Sequence, residues 1–222
     1  MTFKIFITQK VWGYIKTAKV ELIVLASVLA FDLLTKGIVQ ATMDYGQQID
    51  IIPNFFSFNF VMNAYAGFGF DFFISNATAR RIVFLIFTAI SVVAFFIAMY
   101  KFRHKHWLAR VTFALIIAGA LGNMFDRAFM VMPLEAGPNY AGLYGVRDFI
   151  RFDFGSRTFP IFNIADMALV GGVGVFAVYF IFIYKPDPPS LVGPIFIENW
   201  KGEIEEAEQP IGTDGNPFEF SA

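Results

Sequence analysis

Aspartate is the residue type in this sequence whose side chains are best placed for acid–base catalysis. The 222 residues contain no cysteine and only two histidines, His104 and His106, which lie in one short basic stretch. The missing cysteine excludes thiol nucleophiles and cysteine-based zinc sites, and a serine–histidine pair needs a histidine near the nucleophile. GxSxG, HExxH and phosphate-cradling glycine motifs are also absent from the sequence. We interpret the histidine stretch as a solvated basic loop and expect neither a metal nor a cofactor.

A pair of aspartates can cleave an amide without thiol, metal or histidine. Two neighbouring carboxyl groups cannot both ionise easily, so one keeps its proton. The ionised group activates water, and the protonated group donates to the carbonyl oxygen or the leaving nitrogen. Asp166 is the first candidate because it is the single charge in a long apolar stretch. Its possible partners by position are Asp148, Asp32, Asp126 and Asp153, and spacing does not choose among them.

The segments that contain these aspartates have the hydrophobic composition of a membrane protein. Hydrophobic residues make up 57% of the chain and charged residues 16%, with a mean hydropathy of +0.59, whereas soluble domains carry about 25% charge. At about 1.5 Å per residue, a helix of about 20 residues crosses a hydrocarbon core of about 30 Å. We predict four such helices, at about 20–42, 82–100, 108–130 and 159–184.

Basic residues set the expected orientation of these spans. Four lysines precede span one, and KFRHKHW lies between spans two and three. In a four-span protein both segments fall on one side, which the positive-inside rule makes cytoplasmic. Both termini are then expected on the cytoplasmic side. The net charge of -1 indicates no nucleic-acid partner.

The chain divides into three expected parts. Residues 1–19 form a retained cytoplasmic arm, residues 20–185 the membrane domain, and residues 186–222 an acidic, mostly solvated or disordered extension. Two outer segments lie within the membrane domain. Residues 44–79 are rich in phenylalanine and alternate in FFSFNFVMN, which predicts a small β-structure at the membrane surface. Residues 131–158 are loop-like and then amphipathic in VRDFIRFDF.

Antiparallel spans gather the polar residues at the outer face, while the cytoplasmic halves are nearly charge-free. Charges inside spans cost about 2.5–3.5 kcal/mol each at the helix centre and usually pair. Asp32 and Lys36, at i,i+4, can form an intrahelical pair or belong to a site. Asp166 lies several positions inside an apolar run, which favours a role beyond helix capping. The residues expected at the outer face are Asp32, Lys36, Asn123, Asp126, Arg127 and Asp166.

Other residues on spans three and four have simpler interpretations. Gly119, Asn123 and Arg127 step by four and line one stripe of span three. Arg127 is interpreted as structural because it keeps its proton. The glycines Gly171, Gly172 and Gly174 are interpreted as a helix-packing surface.

Five motifs, in order along residues 20 to 185, resemble those of the lipoprotein signal peptidase (signal peptidase II) family. FDLLTK resembles its D-x-x-T/S-K motif, and VMNAYAGF an N-x-G-A-A-F-like motif. AGALGNMFDR matches G-G-A-x-G-N-x-x-D-R, while VRDFI and FNIAD match the motifs of the two catalytic aspartates. The matched residues are Asp32, Lys36, Asn63, Ala66, Gly119, Gly122, Asn123, Asp126, Arg127, Asp148, Asn163, Ala165 and Asp166.

The resemblance implies an all-α membrane aspartyl endopeptidase of four spans, with a small extracytoplasmic β-structured segment. It implies Asp148 and Asp166 as the catalytic pair, with the other matched residues as substrate-binding or supporting groups. The implied substrate is a prolipoprotein whose cysteine already carries diacylglycerol, cut just before that cysteine at the outer face. Membrane lipid is a further implied partner, and cyclic-peptide antibiotics are possible inhibitors.

Three features depart from the family pattern. Tyr65 stands where the family has glycine, the insert between Arg127 and Asp148 is longer than usual, and the acidic extension lies outside the resemblance. Two other functions remain open from the residues alone. An ion-coupled transporter predicts polar residues through both halves of the bundle. A non-catalytic assembly factor predicts that Asp→Asn changes at Asp148 and Asp166 alter folding rather than turnover.

Overall fold

Four long helices form the frame of the molecule, confirming the four predicted spans. The computed structural model describes residues 18–64, 76–184, 196–198 and 204–206. Each of these helices is long and apolar enough to cross a membrane, the fourth together with a π-helical end at Tyr179–Ile183. The helices are α1 (Lys19–Thr42), α2 (Ala77–Lys101), α3 (Trp107–Phe129) and α4 (Ile164–Val178).

Helix α4 begins five residues later than the hydropathy pattern predicts. The expected start was Phe159, but Phe162 is still extended and exchanges backbone hydrogen bonds with Ile150. Asn163 then acts as the N-cap, its side chain accepting from the backbone nitrogen of Asp166 at 3.0 Å. The apolar residues before Asn163 therefore belong to the outer segment and not to the span.

A four-stranded antiparallel sheet lies at one end of the helices. Its strands are β1 (Gln48–Ile52), β2 (Phe56–Asn63), β3 (Val146–Phe154) and β4 (Arg157–Thr158), in that order. The β-structure predicted within residues 44–79 is therefore confirmed as β1 and β2. The amphipathic stretch VRDFIRFDF is β3, which pairs with β2.

Helix α3 is the central helix. It packs against α1, α2 and α4; α1 also packs against α4, whereas α2 packs mainly along α3. One buried apolar cluster joins α2 to α3 through Val92, Met99, Phe113 and Ile117. A second cluster joins the end of α1 to the sheet; its buried members are Val39, Met43, Phe60, Met62, Met132, Phe149 and Ile150.

The sequence predicted that the three glycines of α4 form one helix-packing surface, but in the structure they do not. A Cβ at Gly172 would lie 2.8 Å from the side chain of Ile116, so this glycine permits close contact with α3. Gly171 and Gly174 face open space, with no atom within 4 Å of such a Cβ. The prediction is therefore correct for Gly172 alone.

The long insert between Arg127 and Asp148 folds back on itself. Val131 bridges to Tyr144, and the backbone nitrogen of Met132 donates to the carbonyl of Leu143 at 2.7 Å. A short 3₁₀ turn at Leu134–Ala136 lies between them. The insert packs on the second apolar cluster through Met132, which is buried.

The acidic extension contains a small antiparallel pair of strands, β5 (Phe196–Glu198) and β6 (Ile204–Glu206). The expectation of a mostly solvated or disordered extension did not include these strands. The predicted arm at residues 1–17, the matched Ala66 and the divergent Tyr65 lie outside the described residues.

Candidate active site

Asp148 is a buried carboxyl group held by amides. Its side chain lies on β3, is 3% exposed and accepts from Nδ2 of Asn163 at 2.6 Å. Asn63, on β2, also hydrogen-bonds to it. Burial, and secondarily the charge of Asp166, raises the pKa of Asp148 to about 7. Asp148 therefore holds a proton at neutral pH far more readily than an exposed aspartate.

A bulge in the sheet aims Asp148 away from the apolar cluster. The backbone nitrogens of Phe149 and Ile150 both donate to the carbonyl of Phe162, at 3.1 and 2.8 Å. Both of these consecutive side chains belong to the second apolar cluster, so the alternation of β3 is interrupted there. The pleat then puts Asp148 and Phe149 on opposite faces, whereas strict alternation would put Asp148 on the face of Ile150. Bulges commonly redirect a side chain in this way beside functional sites.

Asp166 lies in the first turn of α4, not several residues inside the span. Its Oδ2 accepts from the backbone nitrogen of Asn163 at 3.2 Å, completing a capping box. Its Oδ1 accepts from Nδ2 of Asn123, on α3, at 2.7 Å. The premise that Asp166 lies well inside the span is therefore wrong, because Asp166 completes the capping box of Asn163 while it also faces its polar neighbours.

Two asparagines connect the carboxyl groups of Asp148 and Asp166. Nδ2 of Asn163 donates to Oδ1 of Asp148 and to Oδ1 of Asn123, the latter at 3.1 Å, and Nδ2 of Asn123 donates to Oδ1 of Asp166. Both asparagine side chains are buried. The structure thus brings Asp148, among the four candidate partners, into the network of Asp166.

The other three candidates have different surroundings. Asp153 lies further along β3 and pairs with Arg151 at 3.0 Å on the outer part of the sheet; this pairing lowers the pKa of Asp153. Asp32 and Asp126 are completely buried and share Lys36, whose Nζ lies 2.9 and 3.4 Å from their carboxylates. The Asp32–Lys36 pair is therefore more than an intrahelical contact, because it joins α1 to α3.

This ionic group also reaches the start of α4 and the asparagine network. Oδ1 of Asp32 accepts from the backbone nitrogen of Ala165 at 2.8 Å, which satisfies a first-turn N–H of α4. Nζ of Lys36 donates to Oδ1 of Asn123 at 3.1 Å. The ionic group and the aspartate pair thus share Asn123.

Two glycines of α3 make room for these contacts. A Cβ at Gly122 would collide with the carboxylate of Asp32 and lie 3.2 Å from Cβ of Ala165. At Gly119 it would collide with the carbonyl oxygen of Ala165 and lie 2.8 Å from the side chain of Leu169. Close packing of α3 on α4 therefore explains both glycines and the small buried Ala165.

Arg127 borders the site from the end of α3. Its Nη1 donates to the carbonyl of Asn123 at 3.3 Å, and its guanidinium lies 5.9 Å from the ring centre of Phe84. Its charge interacts with those of Asp148 and Asp166. The hydrogen bond to Asn123 is consistent with the structural role predicted for Arg127 from sequence. The fixed positive charge also attracts the two neighbouring carboxylates.

Two charged residues that the sequence analysis did not single out, Arg147 and Arg81, have defined roles in the frame. Arg147 forms an ion pair with Asp126 at 2.5 Å. Arg81 donates to the last carbonyls of α3, at Arg127 and Ala128, and stacks on Tyr144. Arg147 had a signal in the sequence, because it directly precedes Asp148 in a strand that enters the site.

Glu21 is a buried charge in the half of the bundle that the sequence predicted to be nearly charge-free. It is buried in the first turn of α1 and pairs with Arg110 at 3.0 Å, at the end of the bundle away from the aspartates. Between the two ends, the described helices meet through the apolar cluster of Val92, Met99, Phe113 and Ile117. Within the described residues, this arrangement does not resemble the continuous polar path expected of an ion-coupled transporter.

Comparisons with known proteins agree with this geometry. Residues 24–182 match the family model described as signal peptidase (SPase) II. A lipoprotein signal peptidase of Geobacter metallireducens is 34% identical over 155 residues, 70% of this chain and 86% of the relative. One from Clostridium acetobutylicum is 30% identical over 162 residues, 72% and 93% of the two chains.

A solved structure also matches. It is described as a bacterial membrane enzyme determined by the in meso method at 1.9 Å resolution. Its TM-score is 0.58 with 29% identity, and the match covers 75% of this chain and 95% of that chain.

Proposed function

This chain belongs to the signal peptidase II family, and from that premise we propose that Asp148 and Asp166 are the catalytic pair with which it removes signal peptides. The chain is an aspartic peptidase of a bacterial membrane that processes prolipoproteins. The observation that supports the pair is the link through Asn163, whose side chain donates to Asp148 and whose backbone donates to Asp166. No histidine, cysteine or lysine nucleophile is needed.

The surroundings of the two carboxyl groups divide the acid and base roles. Asp148 is buried and its pKa is about 7, so it holds the shared proton and acts as the acid. Asp166 accepts hydrogen bonds from Nδ2 of Asn123 and from the backbone nitrogen of Asn163, and with Asp148 as the acid we propose Asp166 as the base.

The reaction then follows in two balanced steps. Asp166 takes a proton from water while the water oxygen attacks the scissile carbonyl carbon, and Asp148 gives its proton to the carbonyl oxygen. In the second step the carbon–nitrogen bond breaks, the nitrogen takes the proton from Asp166, and Asp148 recovers a proton from the hydroxyl of the intermediate. The products are a carboxylic acid and an amine, and both aspartates return to their first state.

The helix arrangement suits a substrate that is itself a membrane helix. Asp166 lies in the first turn of α4 and Arg127 in the last turn of α3. The proposed catalytic pair is therefore near one membrane surface. Because α2 packs mainly along α3 and not along α4, we place the signal peptide between α2 and α4, against α3. The other matched residues support the pair or line this access route.

We further propose that the substrate carries diacylglycerol and is cut just before the lipidated cysteine. An apolar cavity of about 560 Å³ between α1, α4 and the sheet supports contact with acyl chains of lipid. Phenylalanines of both β2 and β3, including Phe58 and Phe152, line it. Cyclic peptides that occupy the place of the substrate peptide are expected inhibitors.

We place the sheet and the aspartate pair on the outer side of the membrane, with both termini in the cytoplasm. The basic residues before α1 and between α2 and α3 support this orientation. The catalytic unit is residues 20–185, with the arm at 1–19 and the acidic extension at 186–222 flanking it.

Purified protein in detergent tests the proposal. We expect cleavage of a diacylglyceryl-modified prolipoprotein by the wild type, and loss of cleavage by at least about 10³-fold in Asp148→Asn and Asp166→Asn, since each removes a proton-transfer group. An unmodified prolipoprotein is expected to resist cleavage.

Asp153→Asn is the matched control, because Asp153 lies on the same strand as Asp148 but pairs with Arg151 on the outer part of the sheet. It is expected to keep wild-type turnover. Near wild-type cleavage by either Asp148→Asn or Asp166→Asn would exclude the catalytic pair. Loss of the folded protein in both, with unchanged turnover per folded molecule, would favour an assembly role.

A further inference from the structure

Arg147, the residue before Asp148, is hydrogen-bonded to both α1 and α3. We propose that Arg147 is a positioning residue for the hydrolysis, which fixes the Asp148 end of β3 against α1 and α3 so that the carboxyl group meets Asn163. The inference rests on the proposed catalytic role of Asp148. Arg147 lies within the stretch VRDFI but is not among the residues matched to the family.

Arg147 is fixed through both its main chain and its side chain. Its backbone nitrogen and its Nε donate to Oδ2 of Asp126 at 3.0 and 3.3 Å, and its Nη2 donates to Oδ1 of the same residue at 2.5 Å. Its Nη1 donates to Oε1 of Gln40 at 2.9 Å. One residue of the strand is thus tied to α3 by a fork of charge-assisted hydrogen bonds and to α1 by a further one.

The same peptide unit is also held from the side of α4. The carbonyl oxygen of Arg147 accepts from Nδ2 of Asn163 at 3.3 Å, and that nitrogen donates to Oδ1 of Asp148 at 2.6 Å. Asn163 therefore contacts both Arg147, which is anchored to α1 and α3, and the carboxyl group of Asp148. A shift of Arg147 would move Asp148 relative to this nitrogen.

Arg147 also balances the charge of the buried ionic group. Asp32 and Asp126 contribute two negative charges, and Lys36 and Arg147 contribute two positive charges. Their side chains are between 0% and 6% exposed. Without Arg147, Lys36 would face two buried carboxylates alone, and an uncompensated buried charge is strongly unfavourable.

Lysine can replace the charge of Arg147 but not its geometry. An ammonium is a compact point charge, whereas the guanidinium presents a planar fork to a carboxylate and can reach a further acceptor. The Arg147→Lys variant therefore separates charge compensation, which it keeps, from positioning, which it loses.

Steady-state kinetics of purified Arg147→Lys with a diacylglyceryl-modified prolipoprotein test the inference. We expect kcat to fall about 10- to 100-fold, as expected for a displacement of a reacting group by about 1 Å. KM is expected to stay within about twofold, because the proposed peptide route lies between α2 and α4 and not beside Arg147. Elution of the folded protein by size exclusion in detergent is expected to match wild type.

Arg151→Lys is the matched control. Arg151 lies four residues along the same strand and also places Nε and Nη2 on one aspartate, Asp153, but in the outer part of the sheet. It is expected to keep wild-type kcat. A second variant, Gln40→Leu, removes one acceptor of Arg147 without removing a charge and is expected to lower kcat several-fold.

Three outcomes would overturn the inference. They are a kcat of Arg147→Lys within about twofold of wild type, equal losses in Arg147→Lys and Arg151→Lys, or a loss that matches the loss of folded protein. If Arg147→Lys does not fold, an unchanged kcat in Gln40→Leu overturns it. Full activity in Asp148→Asn would instead contradict the proposed function itself, so the two failures are distinguishable.

Discussion

The side-chain nitrogen of Asn163 lies 2.6 Å from Oδ1 of Asp148, so the residue that begins helix α4 also holds the carboxyl group of strand β3. The side-chain oxygen of Asn163 meanwhile accepts from the backbone nitrogen of Asp166. One amide therefore orients both members of the proposed catalytic pair. A substitution that keeps the side-chain oxygen but removes the side-chain nitrogen can separate the two contacts.

Asn163→Ser is expected to keep the helix cap and lose the contact with Asp148. Serine is a good N-cap, but its hydroxyl is too short to replace the amide that reaches β3. Loss of a hydrogen bond to a group that ionises is worth about 1.5–3 kcal/mol, which corresponds to about a 10- to 100-fold fall in kcat. Thermal unfolding and kinetics of the same sample measure both effects. Wild-type kcat would show that Asn163 does not orient Asp148 for catalysis.

Hydrolysis is expected to decline as the pH rises through about 7. Asp148 acts as the proton donor in the proposed reaction, and its pKa is raised to about 7 by burial and by the charge of Asp166. Above that pH the donor is ionised, so kcat should fall with the titration of one group. A pH profile between 5 and 9 on one substrate measures this. A flat profile through pH 8 would argue against Asp148 as the acid.

Asp148 is also expected to make the wild type less stable at high pH. Its pKa rises from an ordinary 3.8 to about 7 on folding, so between these values the native state binds a proton that the unfolded chain has released. Stability from this group is therefore full below about pH 4 and falls as the pH rises to about 7, by at most about 4 kcal/mol. Unfolding of Asp148→Asn and wild type at pH 5 and 8 should show the variant gaining relative stability at pH 8.

Asp153→Asn provides a contrast of opposite sign. Hydrogen bonds from Arg151 and Thr158 lower the pKa of Asp153, so its contribution is present at neutral pH and lost in acid. A relative gain at pH 8 by Asp153→Asn but not by Asp148→Asn would contradict the assignment.

Gly122→Ala is expected to damage the site through packing. The added methyl would collide with the carboxylate of Asp32 and crowd Ala165, so α3 and α4 must separate. Overpacking of this kind costs about 1–3 kcal/mol, and kcat should fall because Asp166 moves with α4. Gly171→Ala is the control, since nothing lies within 4 Å of its added Cβ. Equal unfolding temperatures for the two variants would contradict the close contact at Gly122.

The orientation of the chain can be read by cysteine labelling, because the chain has no cysteine of its own. Ser156→Cys lies in the turn between β3 and β4, and His104→Cys lies in the loop between α2 and α3; both positions are exposed. In intact cells, a membrane-impermeant maleimide is expected to label Ser156→Cys and not His104→Cys until the membrane is opened. The reverse pattern would place the aspartates on the cytoplasmic side.

Hydropathy and residue alternation predicted the four helices and part of the sheet, because these depend on local sequence. The start of α4 was predicted too early because Pro160, Ile161 and Phe162 are as apolar as a span. A polar signal was nevertheless present, since Asn163 followed three residues later by Asp166 is the pattern of a capping box.

The partner of Asp166 could not be chosen from spacing, because the choice depends on a bulge. Strict alternation would place Asp148 with Ile150 and Phe152, on the apolar face. The interruption at Phe149 and Ile150 depends on pairing with Phe162, a contact made in three dimensions. Arg147 and Glu21 were missed because each reads as an ordinary charge until its buried partner is known.

The pairing of Asp32 with Lys36 has a consequence for how the chain enters the bilayer. The two residues lie one helical turn apart on α1 and are 2.9 Å apart, so this span can be inserted with its two central charges already neutralising each other. At the end of α3 the adjacent Asp126 and Arg127 also carry opposite charges, so this segment too has no net charge there. In the folded structure Asp32 and Lys36 keep this pairing, and Lys36 gains a further contact with Asp126 on α3.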